Sequence, residues 1–348
     1  MRVDLFDYEL PADRIAQEPG PRGSSRLMVL DRSGEGVAHR RFADLPELLR
    51  AGDLLVRNDV RVRPSRLWGR DAEGRLVEIF VLRPEGPDAR RWRALARPGR
   101  RAKRGRRIAF EEGLSAEVEE VDEDGARIVL FDRPLDEALL QRIGRTPLPP
   151  YIRRQPGAPD RPEDREAYQT VFAREPAAVA APTAGLHFND AILSAVRARG
   201  VAIADLTLAV GAGTFKPVTV ADTSAHTMPP EEVAIPAASL AVVAEARRAG
   251  RRVVAVGTTV ARSLEAAARL PGGLDAPGDR RFATDLFITP GFEFRAVDAL
   301  MTNFHLPRST LLMLVSAFAG RDRILAAYAE AIRERYRFYS FGDAMLLT

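Results

Sequence analysis

The 348-residue chain contains no cysteine. That single absence removes disulfides, thiolate metal sites and a cysteine nucleophile together. Lysine is nearly absent too: of 52 basic residues, only Lys103 and Lys216 are not arginine. Such a bias reflects coding preference in a GC-rich genome, so arginine abundance alone is not read as function. Histidine is sparse, and its four copies are the short supply of neutral-pH proton carriers: His39, His187, His226 and His305. The uncharged run at 311–320 is too short to cross a bilayer and reads as a buried core element, so no membrane partner is expected. The N-terminus, MRVDLFDYELPADR, carries acids early and has no apolar segment of the kind a secretory leader needs. With the missing cysteines, this points to the cytoplasm. No GxGxxG follows a first strand, which argues against a dinucleotide or methyltransferase glycine loop.

What is present is an ordinary globular composition, 46% hydrophobic and 29% charged, at a length that favours about two domains. Its positive charge is concentrated. RRWRALARPGRRAKRGRR (residues 90–107) holds ten basic residues and no acid. Subtracting it from 52 basic and 48 acidic residues leaves 42 against 48, so the segment is +10 and the remainder −6. Most charged runs only solvate a surface, but ordinary solvated faces mix both signs. This run therefore reads as a phosphate-backbone contact through Arg97, Arg100, Arg101, Lys103, Arg104, Arg106 and Arg107. Trp92 and Pro98-Gly99 would present it as a hairpin-like ribbon.

Two hydrophobic periods divide the chain. RLVEIFVL (75–82), RRIAF (106–110), LSAEVEEV (114–121) and ARIVLF (126–131) read as strands separated by turn-formers, predicting a small antiparallel sheet or barrel. Prolines 147, 149 and 150 then precede an extended polar loop through Arg165. From 177 onward strands alternate with helices, as where VVAVG precedes TTVARSLEAAARL, which predicts an α/β layer with partly parallel strands. Residues 52–62 read as another core strand. The expected fold is thus a mixed-sheet α/β domain (1–66 and 151–348) interrupted by an inserted antiparallel β-barrel domain (67–150) carrying the basic segment.

Polar loops sit at the ends of apolar elements in the α/β part. TNFHLPRSTLLMLVSAFAG (302–320) crowds Asn303, His305, Arg308, Ser309 and Thr310 around Pro307. A capped turn explains Pro307, Ser309 and Thr310, but not Asn303 and His305. APTAGLHFND (181–190) carries Thr183, Gly185 and His187 ahead of a helix whose Ile192, Leu193 and Val196 share one face, with Gly200 as a stop. LTLAVGAGTFKPV (206–218) is a β-rich run broken by Gly211 and Gly213. Gly211, Gly213 and Thr214 would let backbone amides approach a carboxylate or ribose hydroxyl, although a lone GxG is as readily a tight turn. Gly257-Thr258-Thr259 offers helix-terminal amides to an anion, with Arg262 one turn on; the commoner use of such threonines is an N-cap. Asp59 and Arg61 end a core strand and must pair or face a pocket. On residues alone, His187 and His305 are as readily structural as catalytic. A three-histidine metal site with His226 lacks any HxH or HExxH spacing.

These segments together resemble the S-adenosylmethionine:tRNA ribosyltransferase-isomerase family of queuosine biosynthesis. SRLMVLD (25–31), GDLLVRNDVRVRPSRLWG (52–69), PLPPYI (147–152), YQTVFARE (168–175), VGTTVARSLE (256–265), DLFITPGFEF (285–294) and YRFYSFGDAMLL (336–347) extend the likeness over nearly the whole chain, in the family's order. The resemblance implies transfer and isomerisation of the ribosyl part of S-adenosylmethionine onto 7-aminomethyl-7-deazaguanine at the wobble position of tRNA. Adenine and methionine leave, and epoxyqueuosine remains. It implies S-adenosylmethionine as co-substrate, no metal and no permanently bound cofactor; a monomer is expected, although the sequence itself does not give the oligomeric state. The sulfonium acidifies the adjacent 5′ carbon, so a positioned base is needed; departing adenine needs a proton, and the methionine carboxylate needs an arginine or helix N-terminus. Carried onto this chain, the catalytic candidates are His187, His305, Glu231, His226 and Asp59. The substrate-binding candidates are Arg61, Thr183, Gly185, Gly211, Gly213, Thr214, Gly257, Thr258, Thr259, Arg262, Asn303, Ser309, Thr310 and Asp343. His187, Arg262, Asn303 and His305 are expected to line one cleft.

Three departures from the family pattern stand beside this. LTLAVG has Ala209 where the family usually has histidine, HTMPPE keeps His226, Met228 and Glu231 but has Pro229 at a second histidine, and GTTV has Val260 for serine. They leave open a catalytically altered or inactive tRNA-binding paralogue; a methyl-transfer enzyme is the weaker alternative.

Overall fold

The computed structural model describes residues 1–34, 36–211 and 218–348. In chain order its elements are β1 (Arg26–Leu30), β2 (Val37–Arg41), α1 (Leu45–Leu48), β3 (Leu54–Asn58) and β4 (Val60–Val62). Then come β5 (Arg66–Arg70), β6 (Leu76–Pro84), β7 (Arg91–Arg97), β8 (Arg107–Ala109), β9 (Ser115–Val121) and β10 (Arg127–Phe131). The remainder comprises α2 (Glu137–Ile143), α3 (Pro162–Ala167), β11 (Glu175–Ala178), α4 (Asp190–Ala198), β12 (Ala202–Leu208), β13 (Glu231–Ile235) and α5 (Ala237–Arg248). It closes with β14 (Val253–Val256), α6 (Thr258–Ala267), β15 (Arg280–Thr284), β16 (Ala299–Asn303), α7 (Thr310–Ala319), α8 (Arg321–Arg333) and β17 (Ala344–Leu347).

Two compact units result. The first comprises Met1–Arg61, Gln169–Ala177 and Ala181–Thr348. Its nine-stranded sheet runs β15-β13-β12-β3-β14-β16-β17-β1-β2. Strands β12, β3, β14 and β16 are mutually parallel, β13 and β17 run against their neighbours β12 and β16, and β1 is parallel to β17. One edge of the sheet therefore collects the C-terminal ends of β3, β12, β14 and β16 and the N-terminal ends of β13, β17 and β1. Strands β3, β14, β16 and β17 are buried at every position, as central strands must be when both faces are covered. Local signals set the helices: Asn189 caps α4 by accepting from Ile192 N at 2.9 Å, and Gly200 follows it at φ 77°. The uncharged run after Ser309 is α7, almost wholly buried.

The second unit comprises Val62–Tyr168 and Ala178–Ala180. It is a closed barrel in the order β10-β7-β6-β5-β8-β9, with Leu67, Val77, Ile79, Trp92, Ala94, Val118 and Val129 inside and Leu139, Leu140 and Ile143 of α2 packed against them. The boundary after the barrel falls after Tyr168, later than the proline cluster suggests. Residues 151–168 are tied to the barrel side: Arg154 grips Asp164 at 2.7 and 2.8 Å, and Arg165 donates to the Gln141 and Gly144 carbonyls. Part of the expected polar loop is the short helix α3.

The basic run does not form a ribbon. Its first half is β7, whose Trp92 turns into the core and donates from Nε1 to the Ala89 carbonyl at 2.8 Å. Its arginines find acids on other segments: Arg91 pairs with Glu119 and Glu120, Arg93 with Asp122 and Asp124, and Arg107 with Glu117. Arg101 donates to the Leu76 carbonyl, and Arg106 lies 3.6 Å from Glu73. Among the described residues, Arg97, Arg100, Lys103 and Arg104 are exposed and have no acidic partner. The acids were absent from the run itself but arrive across the sheet, where neighbouring strands lie about 5 Å apart.

Candidate active site

The sheet edge where the parallel strands end brings distant loops together. Thr183–His187 folds as a short 3-10 helix, and its Ala184 packs beneath α6: a Cβ built on Gly257 would sit 3.5 Å from the Ala184 Cβ. Gly257 has φ 94°, a left-handed-side conformation that favours glycine, and it donates from N to the Met301 carbonyl at 2.8 Å. It is the N-cap of α6, and no side chain caps that helix. The expected alternative, a threonine cap, is not adopted. Thr258 is buried, and the Thr259 hydroxyl is buried without a hydrogen-bond partner. The first amides of α6 thus remain available to an anion.

His187 is fully enclosed, stacked on Phe42 with ring centroids 5.0 Å apart. Asn303 Nδ2 donates both to the Tyr339 carbonyl at 3.1 Å and to His187 Nε2 at 3.0 Å. The carbonyl fixes the amide's orientation, so Nε2 is the accepting nitrogen, and His187 Nδ1–H donates to Ser25 Oγ at 2.7 Å. The Ser25 proton is left free to pass outward, and Asn303 Oδ1 is buried without a partner. Tyr339 adopts φ 71°, a strained value for a non-glycine residue, as its carbonyl meets Asn303. Burial, with Arg337 and Arg22 nearby, holds the His187 pKa down at about 3.

His305 does not share this face. Successive side chains of a strand point to opposite sides. On β16, Ala299 and Met301 belong to the core cluster of Ala184, Phe188 and Ile192, and Asn303 follows them to His187. Thr302 points the other way, and its Oγ1 meets His305 Nε2 at 2.7 Å. The His305 backbone N donates to Tyr328 Oη at 2.9 Å, and Tyr8 Oη donates to its carbonyl. The expected single cleft lined by both histidines is thus not formed. Burial also holds His305 at about pKa 3.

The second cluster is Arg262, Glu231 and Gly211. Arg262 Nη1 meets Glu231 Oε2 at 2.5 Å, both side chains being only 6% exposed. Arg262 Nε donates to the Leu286 carbonyl, and Glu231 Oε1 accepts from Gly211 N at 3.0 Å. Arg262 Nη2 is buried and unpartnered. Glu231 is therefore a counter-ion whose oxygens are occupied, which displaces it from the expected catalytic set.

Other candidates fall elsewhere. Asp59 accepts from Thr207 Oγ1 at 2.7 Å and lines a separate cavity of about 340 Å³ with Glu232, Arg280 and Arg281; burial raises its pKa. Arg61 lies half-buried in β4, which pairs with β11. His226 packs edge-on to Phe287 at 5.1 Å, and burial lowers its pKa. Among the described residues no three His, Asp or Glu groups converge as a metal site. Ser309 Oγ accepts from Leu312 N and donates to the Leu306 carbonyl, so its hydroxyl is consumed as the cap of α7, and Thr310 is that helix's first residue. Asp343 accepts from the backbone N of Arg26 and Arg337, a strut at the start of β1 and β17. Gly185 is a packing glycine, since a Cβ there would lie 2.8 Å from Phe172 and Thr170. Thr183 is partly buried; Gly213 and Thr214 lie outside the described residues. Of the departures, Ala209 lines the smaller cavity, Val260 is fully buried in α6, and Pro229 is exposed.

Sequence reasoning passed over Ser25, Arg22 and Arg337. Ser25 stood only as the first letter of SRLMVLD, just ahead of β1 and 162 residues from the histidine it serves; no local pattern marks it.

The two neutral imidazoles make a stability prediction. Each has a folded pKa below its ordinary 6.5, so the unfolded chain binds more protons between pH 6.5 and about 3. Their contribution is fully present above pH 6.5 and is lost as pH falls through that window, by up to about 1.4 kcal/mol per pH unit for each histidine. Urea midpoints measured from pH 7.5 to 4.5 should fall with acidification. His187→Gln and His305→Gln should each flatten the slope; an unchanged slope in both would refute the assignment.

Comparison with known proteins places the chain. A family profile described as Queuosine biosynthesis protein matches residues 3–347. The S-adenosylmethionine:tRNA ribosyltransferase-isomerase of Moorella thermoacetica is 51% identical over 352 residues, covering all of both chains. That of Anaeromyxobacter dehalogenans is 53% identical, covering 100% of this chain and 99% of its own. A crystal structure of S-adenosylmethionine tRNA ribosyltransferase from Thermotoga maritima shares 40% identity with a TM-score of 0.56, covering 99% of this chain and 100% of that one. The mixed sheet, the closed barrel and the end-to-end similarity agree: this chain belongs to the queuosine biosynthesis protein family.

Proposed function

We propose that the chain is a cytoplasmic S-adenosylmethionine:tRNA ribosyltransferase-isomerase. It moves the ribosyl group of S-adenosylmethionine onto 7-aminomethyl-7-deazaguanine at the tRNA wobble position and leaves epoxyqueuosine, adenine and methionine. The observation that carries the reading is the match over residues 3–347 to a family whose relatives, about half identical, bear that name. The chemistry of the sheet edge supports it. The uncapped amides of α6 and the spare Arg262 Nη2 suit the methionine carboxylate. The unpartnered Thr259 hydroxyl and Asn303 Oδ1 suit ribose or adenine groups. His187, neutral and held by Asn303, donates its Nδ1–H to Ser25 Oγ and so turns the Ser25 hydroxyl proton outward, as a hydrogen-bond donor to the departing adenine. His305 supports the neighbouring loop. The enzyme acts as a monomer.

Incubation with S-adenosylmethionine and tRNA bearing the aminomethyl base tests the reading. Release of free adenine and methionine is the expected result. S-adenosylhomocysteine would indicate methyl transfer instead, and tRNA binding without products would indicate a paralogue without catalysis.

The tRNA backbone is met by the cations that lack an internal acid, chiefly Arg100, Lys103 and Arg104. Replacing these three with glutamine should flatten the log–log salt dependence of tRNA affinity by about 2 to 3, at roughly 0.7–0.9 per phosphate contact. Replacing the paired Arg91 and Arg93 should leave that slope nearly unchanged. The reverse pattern in filter-binding titrations would move the footprint elsewhere.

A further inference from the structure

The barrel unit carries a cavity of about 910 Å³, within the roughly 300–1,000 Å³ of small-molecule sites. Its floor is one transverse row. The register sets Trp68 opposite Glu78 across β5 and β6, and Glu78 opposite Arg97 across β6 and β7. Alternation sends Leu67, Val77 and Ile79 into the barrel and this row outward, with neighbouring side chains about 5 Å apart. The other wall comes from residues 145–164.

The lining holds seven arginines and three acids, and two of those acids are already engaged. Asp164 is gripped by Arg154, and Asp160 accepts from Thr146 and Arg165. Glu78 differs. Its side chain is 9% exposed, its nearest cation is Arg66 Nη1 at 3.8 Å, and it accepts no hydrogen bond among the described residues. A buried carboxylate in that state gains most from a ligand that brings N–H donors. Beside it, Arg97 has no acidic partner, and Arg101 spends one nitrogen on the Leu76 carbonyl.

We propose that this cavity binds one unstacked nucleotide of the RNA substrate. The base stacks on Trp68, its N–H edge meets Glu78, and its phosphate meets Arg97 and Arg101. A nucleotide presents all three chemistries at this spacing: a π face, ring or exocyclic N–H donors, and a phosphate. An acidic peptide would satisfy the arginines but leave Trp68 and Glu78 unused. The inference rests on the tRNA-acting reading above.

The full chain and its substrate tRNA provide the test. The chain has two tryptophans, and Trp92 is buried in the barrel core, so a fluorescence change on adding tRNA reports Trp68. That change is expected in the wild type and absent in Trp68→Phe, which keeps a stacking ring and tRNA affinity within a few-fold. Trp68→Ala should raise the tRNA KM by about 5- to 150-fold for loss of one stacked base, and Glu78→Gln by about 5-fold or more for loss of the base-edge contact. Both should keep kcat and S-adenosylmethionine binding. Glu78→Gln preserves shape and decides the matter if Trp68→Ala does not fold. If the wild type releases adenine and methionine while both variants keep the wild-type tRNA KM, the cavity is not a nucleotide site and the enzyme reading stands. If the wild type neither binds nor uses tRNA, the enzyme reading fails and the inference falls with it.

Discussion

Arg262→Met is expected to abolish adenine release and to destabilise the fold by about 3–5 kcal/mol, the usual result of leaving one member of a buried ion pair uncompensated. Glu231 would then keep only the Gly211 N–H at 3.0 Å while being almost wholly enclosed. The double variant Glu231→Leu/Arg262→Met separates the two effects. Removing both charges replaces a buried pair by apolar groups of similar volume, which is often neutral for stability. Its urea midpoint should therefore return close to the wild-type value. Activity should not return, because the unpartnered Nη2 proposed to meet the methionine carboxylate is gone with the arginine. A double variant with wild-type kcat and wild-type KM for S-adenosylmethionine would show the pair to be a strut and nothing more.

His187→Gln should lower kcat by about 10²- to 10³-fold, the range associated with loss of a positioned hydrogen-bond donor to the transition state, here the Ser25 hydroxyl that His187 orients. Binding of S-adenosylmethionine and tRNA should change little, since His187 is fully buried and its two nitrogens are spent on Asn303 and Ser25. Ser25→Ala should reproduce most of the loss. His305→Gln is the control: it alters a buried contact to Thr302 on the other face of β16, so stability should fall while kcat stays within a few-fold. Because His187 is neutral down to about pH 3, the kcat profile should show no inflection near pH 6.5 that disappears in His187→Gln. Single-turnover measurements of adenine release would check each point, and a larger kcat loss in His305→Gln than in His187→Gln would reverse the assignment.

Much of this was legible one segment at a time. The alternation in 75–82, 114–121 and 126–131 predicted barrel strands that the fold contains. The strand β7 was hidden because charge drew attention away from period: in RWRALAR, Trp92 and Ala94 point inward while Arg91 and Arg93 stay outside. At 302–320 the buried run became α7, and the polar letters before it divided by strand parity, which no composition argument resolves.

The sequence by itself determined the apolar face and stop of α4, the buried element after Ser309, the barrel's main strands, and the family, because each rests on patterns within a dozen residues or on their order along the chain. Only the tertiary structure decided that Asn303, His187 and Ser25 form one hydrogen-bonded line across 116 and 162 residues. It also separated His305 from His187, consumed Glu231, Ser309 and Asp343 as structural partners, and neutralised part of the basic run from neighbouring segments. The reason is common to all of these. Partner choice over such separations is set by which strands lie side by side and which face each residue takes, and neither quantity has a signature in the local sequence.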